Sequence, residues 1–218
     1  MTDQPRIGQV VVLCAASGTG KSTLAKKLLS EFPTFGYSIS YTTRKLRNGE
    51  VDGRDYHFVD RQEFIRLRDE SFFAEWAEVH GNLYGTPREP VTRMLEAGKD
   101  VLFDIDIQGA RQLRSSFPLG LYIFLLPPSY GVLAQRLAGR GSDDPQTVAL
   151  RLENAKSEIQ AAPEFDYFVV NDDLERAYAD LRSVFLAGRL RSTFQAGLVD
   201  EIVSSFEDSG LATFGKGA

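Results

Sequence analysis

The sequence predicts an α/β fold in which a parallel sheet lies between two layers of helices. Short apolar runs alternate with stretches of helical periodicity, which is the pattern of strand–helix–strand units. A glycine-rich turn follows the first run and leads directly into the first helix. The runs that we interpret as core strands cover residues 10–13, 100–106, 121–126 and 165–171.

The composition favours an enzyme of the cytoplasm. A chain of 218 residues is long enough for one α/β domain with an inserted lobe. No apolar run approaches the ~18 residues that a membrane span needs, and no signal-peptide pattern is present. The single cysteine, Cys14, excludes an internal disulfide and is interpreted as a small core residue. The net charge of −5 argues against nucleic acid as a partner, and monomer and homo-oligomer both stay open.

The glycine-rich turn carries the strongest chemical signal. It reads Ala15-Ala16-Ser17-Gly18-Thr19-Gly20-Lys21-Ser22-Thr23. This fits the phosphate-loop pattern Gly-x-x-x-x-Gly-Lys-Ser/Thr, except that Ala15 stands at the first glycine. Gly18 and Gly20 let the backbone curl so that its N–H groups converge on an anion, and the helix start adds partial positive charge. Lys21 would reach the β- and γ-phosphates and the Ser22 hydroxyl would bind Mg²⁺. We therefore expect a nucleoside-triphosphate site, the simpler alternative being a flexible turn that binds nothing.

Between about residues 40 and 99 the strands are shorter and the regular alternation with helices is lost. We interpret this stretch as a lobe inserted into the core and facing the phosphate loop. Strands are predicted over residues 35–40, 55–59 and 72–79, and a turn over 80–85. The loop between the first two holds three cations within four positions, Arg44, Lys45 and Arg47. It is either a solvated charged loop or an anion clamp, because guanidinium groups bind phosphate through paired, charge-assisted hydrogen bonds.

Several helix boundaries are also predicted. Asp60 and Glu63 form an Asp-x-x-Glu helix start. Thr86 is predicted as the N-cap of the next helix, with Pro87 at its first position. Gly98 is expected to end that helix. Further helices are expected over residues 129–138 and 174–194, and a frayed tail over 208–218.

Three carboxylates are candidates for ligand contacts. Glu75 lies among the aromatic residues of the run 72–76, where burial without a partner is costly. The alternative is that it faces outward from its strand. Asp104 and Asp106 end a core strand two residues apart, and therefore on one face. Acids at the carboxyl end of a strand, in a protein with a phosphate loop, favour metal or ligand contacts over simple turn residues.

A second group of arginines surrounds a glycine-rich hinge near residues 139–145. Arg136, Arg140 and Arg151 lie on either side of it or within it. Surface arginines are usually only solvated. Around a glycine hinge, however, they could also swing onto phosphates as parts of a lid.

Taken in order, these segments resemble guanylate kinase over nearly the whole chain, up to about residue 207. Eight signatures carry the resemblance. They are residues 15–22 (AASGTGKS), 42–50 (TTRKLRNGE), 53–56 (GRDY), 75–77 (EWA), 81–86 (GNLYGT), 104–109 (DIDIQG), 136–141 (RLAGRG) and 170–173 (VNDD).

The resemblance implies a P-loop kinase that uses Mg²⁺ and transfers the γ-phosphoryl group of ATP to GMP or dGMP. It implies a core (1–39, 100–138 and 157–207), a GMP-binding lobe (40–99) and a helical lid (139–156). ATP would contact residues 15–23, Arg136 and Asn171. The GMP phosphate would be held by Arg44, Arg47, Tyr56 and Tyr84. Guanine would be read by Ser40, Glu75, Thr86 and Asp104, with Asp106 near the metal and phosphates. The catalytic set would be Lys21, Arg44, Arg140 and Arg151.

The chain departs from the family pattern at Ala15, Ala16 and Leu46. The family usually has proline at the last two positions, so the loop around Leu46 should be less rigid, but no contacting group is lost. Because the attacking GMP oxygen is already anionic, no general base is needed. His57 and His80 are therefore interpreted as structural residues.

Two other functions fit parts of the pattern. Relatives on this scaffold phosphorylate other small phosphates, including a ribose bisphosphate, but a sugar needs no reader such as Glu75. Guanylate-kinase-like domains also serve as phosphopeptide-binding scaffolds, a role that does not need Lys21, Ser22 and the lid arginines together.

Overall fold

The computed structural model describes residues 7–36, 38–79, 81–139, 145–195 and 197–208. These residues form two four-stranded sheets. In chain order the strands are β1 (Val10–Ala15), β2 (Tyr41–Thr42), β3 (His57–Phe58), β4 (Phe73–Val79), β5 (Asn82–Pro87), β6 (Val101–Asp104), β7 (Leu121–Leu126) and β8 (Tyr167–Val170).

The α-helices alternate with the strands in the core. They are α1 (Lys21–Glu31), α2 (Arg61–Asp69), α3 (Arg88–Glu96), α4 (Ile107–Ser116), α5 (Tyr130–Ala138), α6 (Pro145–Gln160), α7 (Leu174–Arg189) and α8 (Leu198–Asp208). Short 3-10 helices lie at Ala162–Glu164 and Ser192–Phe194. Across the described ranges, no helix combines the length and the apolar character needed to cross a membrane.

The first sheet is the predicted parallel core. Its order is β6-β1-β7-β8, and every neighbouring pair is parallel. Because side chains alternate along a strand, β1 supplies both faces of the core. Val10, Val12 and Cys14 pack towards α4, while Val11 and Leu13 pack towards α1 and α7. The α/β fold and the core position of Cys14 are thus confirmed.

The second sheet has the order β3-β2-β5-β4 and lies, along the chain, between α1 and β6. β4 and β5 form an antiparallel hairpin, and β2 pairs with β3 in parallel. Gln112 of α4 joins this sheet to the core through the backbone of Trp76. Its amide donates to the Trp76 carbonyl at 2.6 Å and accepts from the Trp76 N–H at 3.0 Å. The carboxyl edge of the core therefore meets the second sheet at α4.

One strand prediction and one turn prediction were wrong. The described residues of the range 35–40 do not form a strand, because Gly36 makes a single bridge, to Val101 at the edge of the core sheet, and residues 38–40 are irregular. Most of the predicted turn 80–85 belongs to β5, whose residues pair with β4. Gly81, with φ of 77°, supplies the positive φ at the hairpin end. The strand predicted over 55–59 is limited to His57 and Phe58.

Helix ends follow local capping signals only where tertiary contacts allow it. Asp60 caps α2 as predicted, accepting from the Glu63 N–H at 2.8 Å. Thr86 does not cap α3, because its hydroxyl bonds to Glu75 instead and Pro87 occupies the N-cap. The helix predicted to reach residue 194 ends at Arg189. Residue 208 closes α8, and the rest of the predicted tail lies outside the described residues.

Candidate active site

The phosphate loop joins β1 to α1 in a conformation that requires glycine. Gly18 and Gly20 have φ of 85° and 98°, and α1 begins at Lys21. A Cβ atom on Gly20 would lie 2.4 Å from the side-chain nitrogen of Asn171, and one on Gly18 would lie 2.8 Å from Leu137. Space and backbone conformation together therefore explain why glycine stands at both positions.

Two residues predicted to contact ATP hold the loop from its inner side. The buried amide of Asn171 donates to the Thr19 carbonyl at 2.6 Å. The guanidinium of Arg136 donates to the Asn171 carbonyl at 3.0 Å and to the Thr19 carbonyl at 3.4 Å. These bonds fix the loop backbone, and direct contacts of Arg136 and Asn171 with ATP stay predictions.

Lys21 extends from the start of α1 to the carboxyl end of β6. Its Nζ donates to the Ile105 carbonyl at 2.9 Å and lies 2.5 Å from Asp104 Oδ1. The chain leaves β6 at Asp104, so strand alternation no longer relates Asp104 to Asp106. Asp106 instead caps α4 and accepts from the Gly109 N–H at 2.8 Å. The assignment of Asp104 to guanine stays a prediction, since the contact that the structure gives it is with Lys21.

Glu75 is a buried carboxylate, 6% exposed, on β4. The Thr86 hydroxyl donates to its Oε1 at 2.5 Å, and the Ser40 hydroxyl lies 3.2 Å from the Thr86 hydroxyl. A Cβ on Gly109 would come within 2.8 Å of Glu75 Oε2, so the start of α4 approaches that oxygen more closely than a residue with a side chain allows. Burial raises the pKa of Glu75 to about 7, although the bond from Thr86 opposes the rise and nearby Asp106 adds to it. The structure thus brings Ser40, Glu75 and Thr86 together as predicted, and Glu75 does not face outward.

Arg44 is the centre of a second cluster in the same sheet. Its guanidinium forms a two-pronged ion pair with Glu50, at 2.7 and 3.0 Å, which raises the pKa of Arg44 and lowers that of Glu50. The guanidinium carbon lies 5.4 Å from the centre of the Tyr56 ring, and Tyr84 also contacts it. The Tyr56 and Tyr84 ring centres are 6.1 Å apart.

Arg47 lies at the exposed end of this cluster. Its N–H donates to Glu50 Oε2 at 2.8 Å, so Glu50 holds both the backbone of Arg47 and the side chain of Arg44. Three of the four residues predicted to bind the GMP phosphate, Arg44, Tyr56 and Tyr84, are therefore neighbours, with the Arg47 backbone attached. Their contact with phosphate stays a prediction.

The lid arginines are only partly described. Arg140 lies outside the described residues, and so does His80. Arg151 is on α6, which packs through Leu152, Ala155 and Ile159 against Ala16 of the phosphate loop and against α5. His57 stacks on Tyr41 with ring centres 4.6 Å apart, a packing contact.

Oxygen donors suited to Mg²⁺ are present at the phosphate loop. Ser22 is exposed in the first turn of α1, beside the Lys21–Asp104 pair. Magnesium prefers a few protein oxygens completed by water and phosphate oxygens, and a serine hydroxyl is a ligand of that kind. In the part of the chain that is described, no cluster of three or more His, Cys, Asp or Glu residues forms a metal cage.

Glu50, Gln112 and Glu158 are site residues that sequence reasoning did not single out. Glu50 is quoted within a signature without a role, although an acid six residues after Arg44 in one loop could have suggested an ion pair. Gln112 bonds to the backbone of Trp76, 36 positions away, and Glu158 accepts from the Ser17 N–H, 141 positions away. Local sequence patterns do not indicate contacts between residues so far apart.

A parallel sheet whose first strand runs through a glycine loop into a helix headed by lysine defines a P-loop nucleotide-binding protein. Known proteins narrow this class. Residues 7–187 match the family model described as guanylate kinase. The chain is 56% identical over 203 residues to the guanylate kinase of Nitratidesulfovibrio vulgaris, covering 93% of this chain and 98% of that protein. The guanylate kinase of Oleidesulfovibrio alaskensis shows the same identity and coverage.

A solved structure agrees with these relatives. The crystal structure of guanylate kinase from Anaplasma phagocytophilum is 34% identical, with a TM-score of 0.73 over 92% of this chain and 96% of that chain. The chain belongs to the guanylate kinase family. The resemblance predicted from the eight signatures is confirmed.

Proposed function

We propose that this protein transfers the γ-phosphoryl group of ATP to GMP, giving ADP and GDP. The observation that carries the proposal is the buried Glu75 carboxylate, held by Thr86 in the second sheet beside the α4 end of the core. The phosphate loop with Lys21 lies at the same carboxyl edge of the core sheet. One domain thus offers a site for a nucleotide base and a site for a triphosphate.

Glu75 suits guanine better than adenine. Guanine presents N1–H and N2–H₂ as adjacent donors, and an ionised carboxylate accepts from both. Adenine has an acceptor at N1, which would face the carboxylate without a proton between them. Leaving a buried polar group unpaired in this way discriminates strongly between substrates. The hydroxyls of Ser40 and Thr86 complete a polar pocket that also suits dGMP, since none of these groups requires the 2′-hydroxyl.

Arg44 suits the phosphate of GMP. Glu50 holds its guanidinium from one side, and Tyr56 and Tyr84 lie on another, so the cation is fixed in place before substrate arrives. Fixed positive charge and phenolic hydroxyls bind a phosphate without reorganisation. We assign Arg47 to the same phosphate because its backbone is tied to Glu50.

The chemistry requires positioning and charge rather than a base. A phosphate oxygen of GMP is the nucleophile and is already ionised, so no proton has to be removed. Lys21 would leave Asp104 for the β- and γ-phosphates and stabilise the charge that develops there. Ser22 and phosphate oxygens of ATP would hold Mg²⁺, which neutralises charge on the phosphates. We propose that Arg140 and Arg151 complete the charge around the transferred group.

The proposal also covers the roles of the three parts of the chain and the location of the protein in the cell. The core, the lobe over residues 40–99 and the lid over 139–156 are assigned to ATP, GMP and closure respectively. The protein is placed in the cytoplasm, where both nucleotides are present. A free and buried Cys14 agrees with a reducing compartment.

Incubation with ATP and GMP, followed by chromatography of the nucleotides, tests the proposed function. ADP and GDP should form in equal amounts, and ATP without an acceptor should be hydrolysed far more slowly. A ribose bisphosphate in place of GMP should give no product. Phosphorylation of the sugar but not of GMP would favour the other small-phosphate activity, and no transfer at all would favour a binding module.

A further inference from the structure

Glu158 places a carboxylate against the phosphate loop. Its Oε2 accepts a hydrogen bond from the Ser17 N–H at 3.2 Å. The residue lies on α6, far along the chain from the loop, and its side chain is half-buried. Lys21 and Asp106 act on it electrostatically. An anionic group of the protein itself is therefore bound by an amide of the loop that we assign to nucleotide phosphates.

Packing of α6 fixes this placement. Ala155, three residues before Glu158, is fully buried against Ala16, Leu133 and Leu137. Residues three apart lie on the same side of a helix, so the face that carries Ala155 towards the loop also carries Glu158 there. The contact is thus part of a packed interface and differs from a chance encounter of two surface groups.

The carboxylate and a nucleotide phosphate need the same donors. The amides of a phosphate loop converge on one anion, and two anions in a half-buried site repel each other. Burial raises the pKa of Glu158 and the Ser17 bond and Lys21 oppose the rise. Phosphate groups carry more charge and more acceptor oxygens than a carboxylate, so they can displace it.

We propose that Glu158 is a positioning residue that occupies the phosphate loop in the nucleotide-free protein and is displaced by the phosphates of the incoming nucleotide. Arg151 lies on the same helix, about two turns before Glu158. The Ser17–Glu158 bond is one of the contacts that tie this helix, and with it Arg151, to the loop, and filling the loop removes that contact. The inference deepens the ATP side of the proposed function and rests on the loop binding nucleotide phosphates.

Equilibrium binding of ADP to the full chain, measured by titration calorimetry without GMP, tests this inference. Glu158→Gln keeps the shape and removes the charge, so it should bind ADP about fivefold or more tightly than the unchanged protein. Glu153→Gln, an exposed position on the same helix, is the matched control and should bind ADP as the unchanged protein does. In turnover, Glu158→Gln should lower the KM for ATP and leave the KM for GMP unchanged, a split that a loss of stability would not produce.

Unchanged or weaker ADP binding by folded Glu158→Gln would overturn the inference. Should that variant fail to fold, Glu158→Asp keeps the charge but shortens the reach. It should bind ADP more tightly than the unchanged protein by a smaller factor, and equal binding would equally overturn the inference. Because ADP binding is measured without an acceptor, a protein that binds ADP as predicted but does not phosphorylate GMP would refute the proposed function alone.

Discussion

Glu75 and Thr86 face each other on β4 and β5, with the Thr86 hydroxyl donating to Glu75 Oε1 at 2.5 Å. This bond pairs one oxygen of a carboxylate that is 6% exposed. The backbone of Gly109 at the start of α4 lies close to the other oxygen. The Thr86 backbone also hydrogen-bonds to this carboxylate. Burying a carboxylate is costly for stability, and we therefore propose that Glu75 is kept in this position to accept hydrogen bonds from a ligand.

Replacing this carboxylate should impair the acceptor side of the reaction. Glu75→Gln should lower kcat/KM for GMP by about 10- to 100-fold, because hydrogen bonds to a charged group contribute about 1.5–3 kcal/mol. The KM for ATP should change little. Steady-state kinetics with each substrate varied measures both values. Glu78→Gln, at the exposed end of the same strand, is the control, and an equal loss in the two variants would contradict the assignment.

The pKa of Glu75 also predicts how stability depends on pH. Burial raises this pKa from 4.5 to about 7, so the folded protein holds the proton more tightly than the unfolded chain does. The stabilisation is fully present below about pH 4.5 and is lost as the pH rises through about 7. A shift of this size corresponds to about 3 kcal/mol. Glu75→Gln has no charge to bury and should escape the loss.

Urea unfolding at pH 5 and pH 8 measures the effect. The free energy of unfolding of Glu75→Gln, relative to the unchanged protein, should rise by about 2 kcal/mol between these two pH values. Glu78→Gln should show the same difference from the unchanged protein at both. A relative stability of Glu75→Gln that is independent of pH would show that Glu75 is ionised throughout this range.

Lys21 supplies the positive side-chain charge of the phosphate loop, and we expect this charge to assist phosphoryl transfer. Lys21→Met should lower kcat by roughly two orders of magnitude or more, through lost stabilisation of the transferring phosphoryl group. The fold should persist, because the Asp104 left behind is partly exposed to water. Lys26→Met, an exposed position on the same helix, should retain full activity. A near-normal kcat in Lys21→Met, with circular dichroism unchanged, would contradict the loop assignment.

Arg44 separates the two substrates. Arg44→Ala should raise the KM for GMP at least about tenfold while the KM for ATP changes little, since a charge-assisted pair with phosphate is lost. It should also lower kcat, because a loosely held acceptor is misaligned for attack. Arg54→Ala, which removes an exposed guanidinium paired with Asp55, is the control. Equal effects on both substrates would mean that Arg44 does not mark the acceptor site.

The core could be predicted from the sequence because its signals are local. A strand that is buried on both faces of a parallel sheet consists almost entirely of apolar residues, as Leu121–Leu126 does, and such a run can be recognised in the sequence. Gly18 and Gly20 indicate the phosphate loop because both have a positive φ, which residues with a side chain rarely adopt. The Glu75 carboxylate could be singled out because a charge among aromatic residues is rare without a function.

Tertiary contacts account for the predictions that were wrong. Thr86 has the pattern of an N-cap, but its hydroxyl donates to the buried Glu75 carboxylate on the neighbouring strand. This bond is favoured over helix capping because a buried carboxylate without a partner is costly. Residues 35–40 have strand-like composition, yet Gly36 meets the core edge at one point only. The local sequence around Glu158 does not indicate its contact with the phosphate loop, because its partner Ser17 lies 141 positions away in the chain.

We propose that this protein phosphorylates GMP and that Glu75 recognises guanine by accepting from its N1–H and N2–H₂ donors. The most direct measurement is kcat/KM with ATP for GMP, IMP and AMP, with the diphosphate products separated by chromatography. IMP lacks the 2-amino donor and AMP lacks both. We predict that GMP exceeds IMP by at least about tenfold and that AMP is slower than GMP by several orders of magnitude. AMP turnover within tenfold of that of GMP, or no turnover of GMP, would contradict the account.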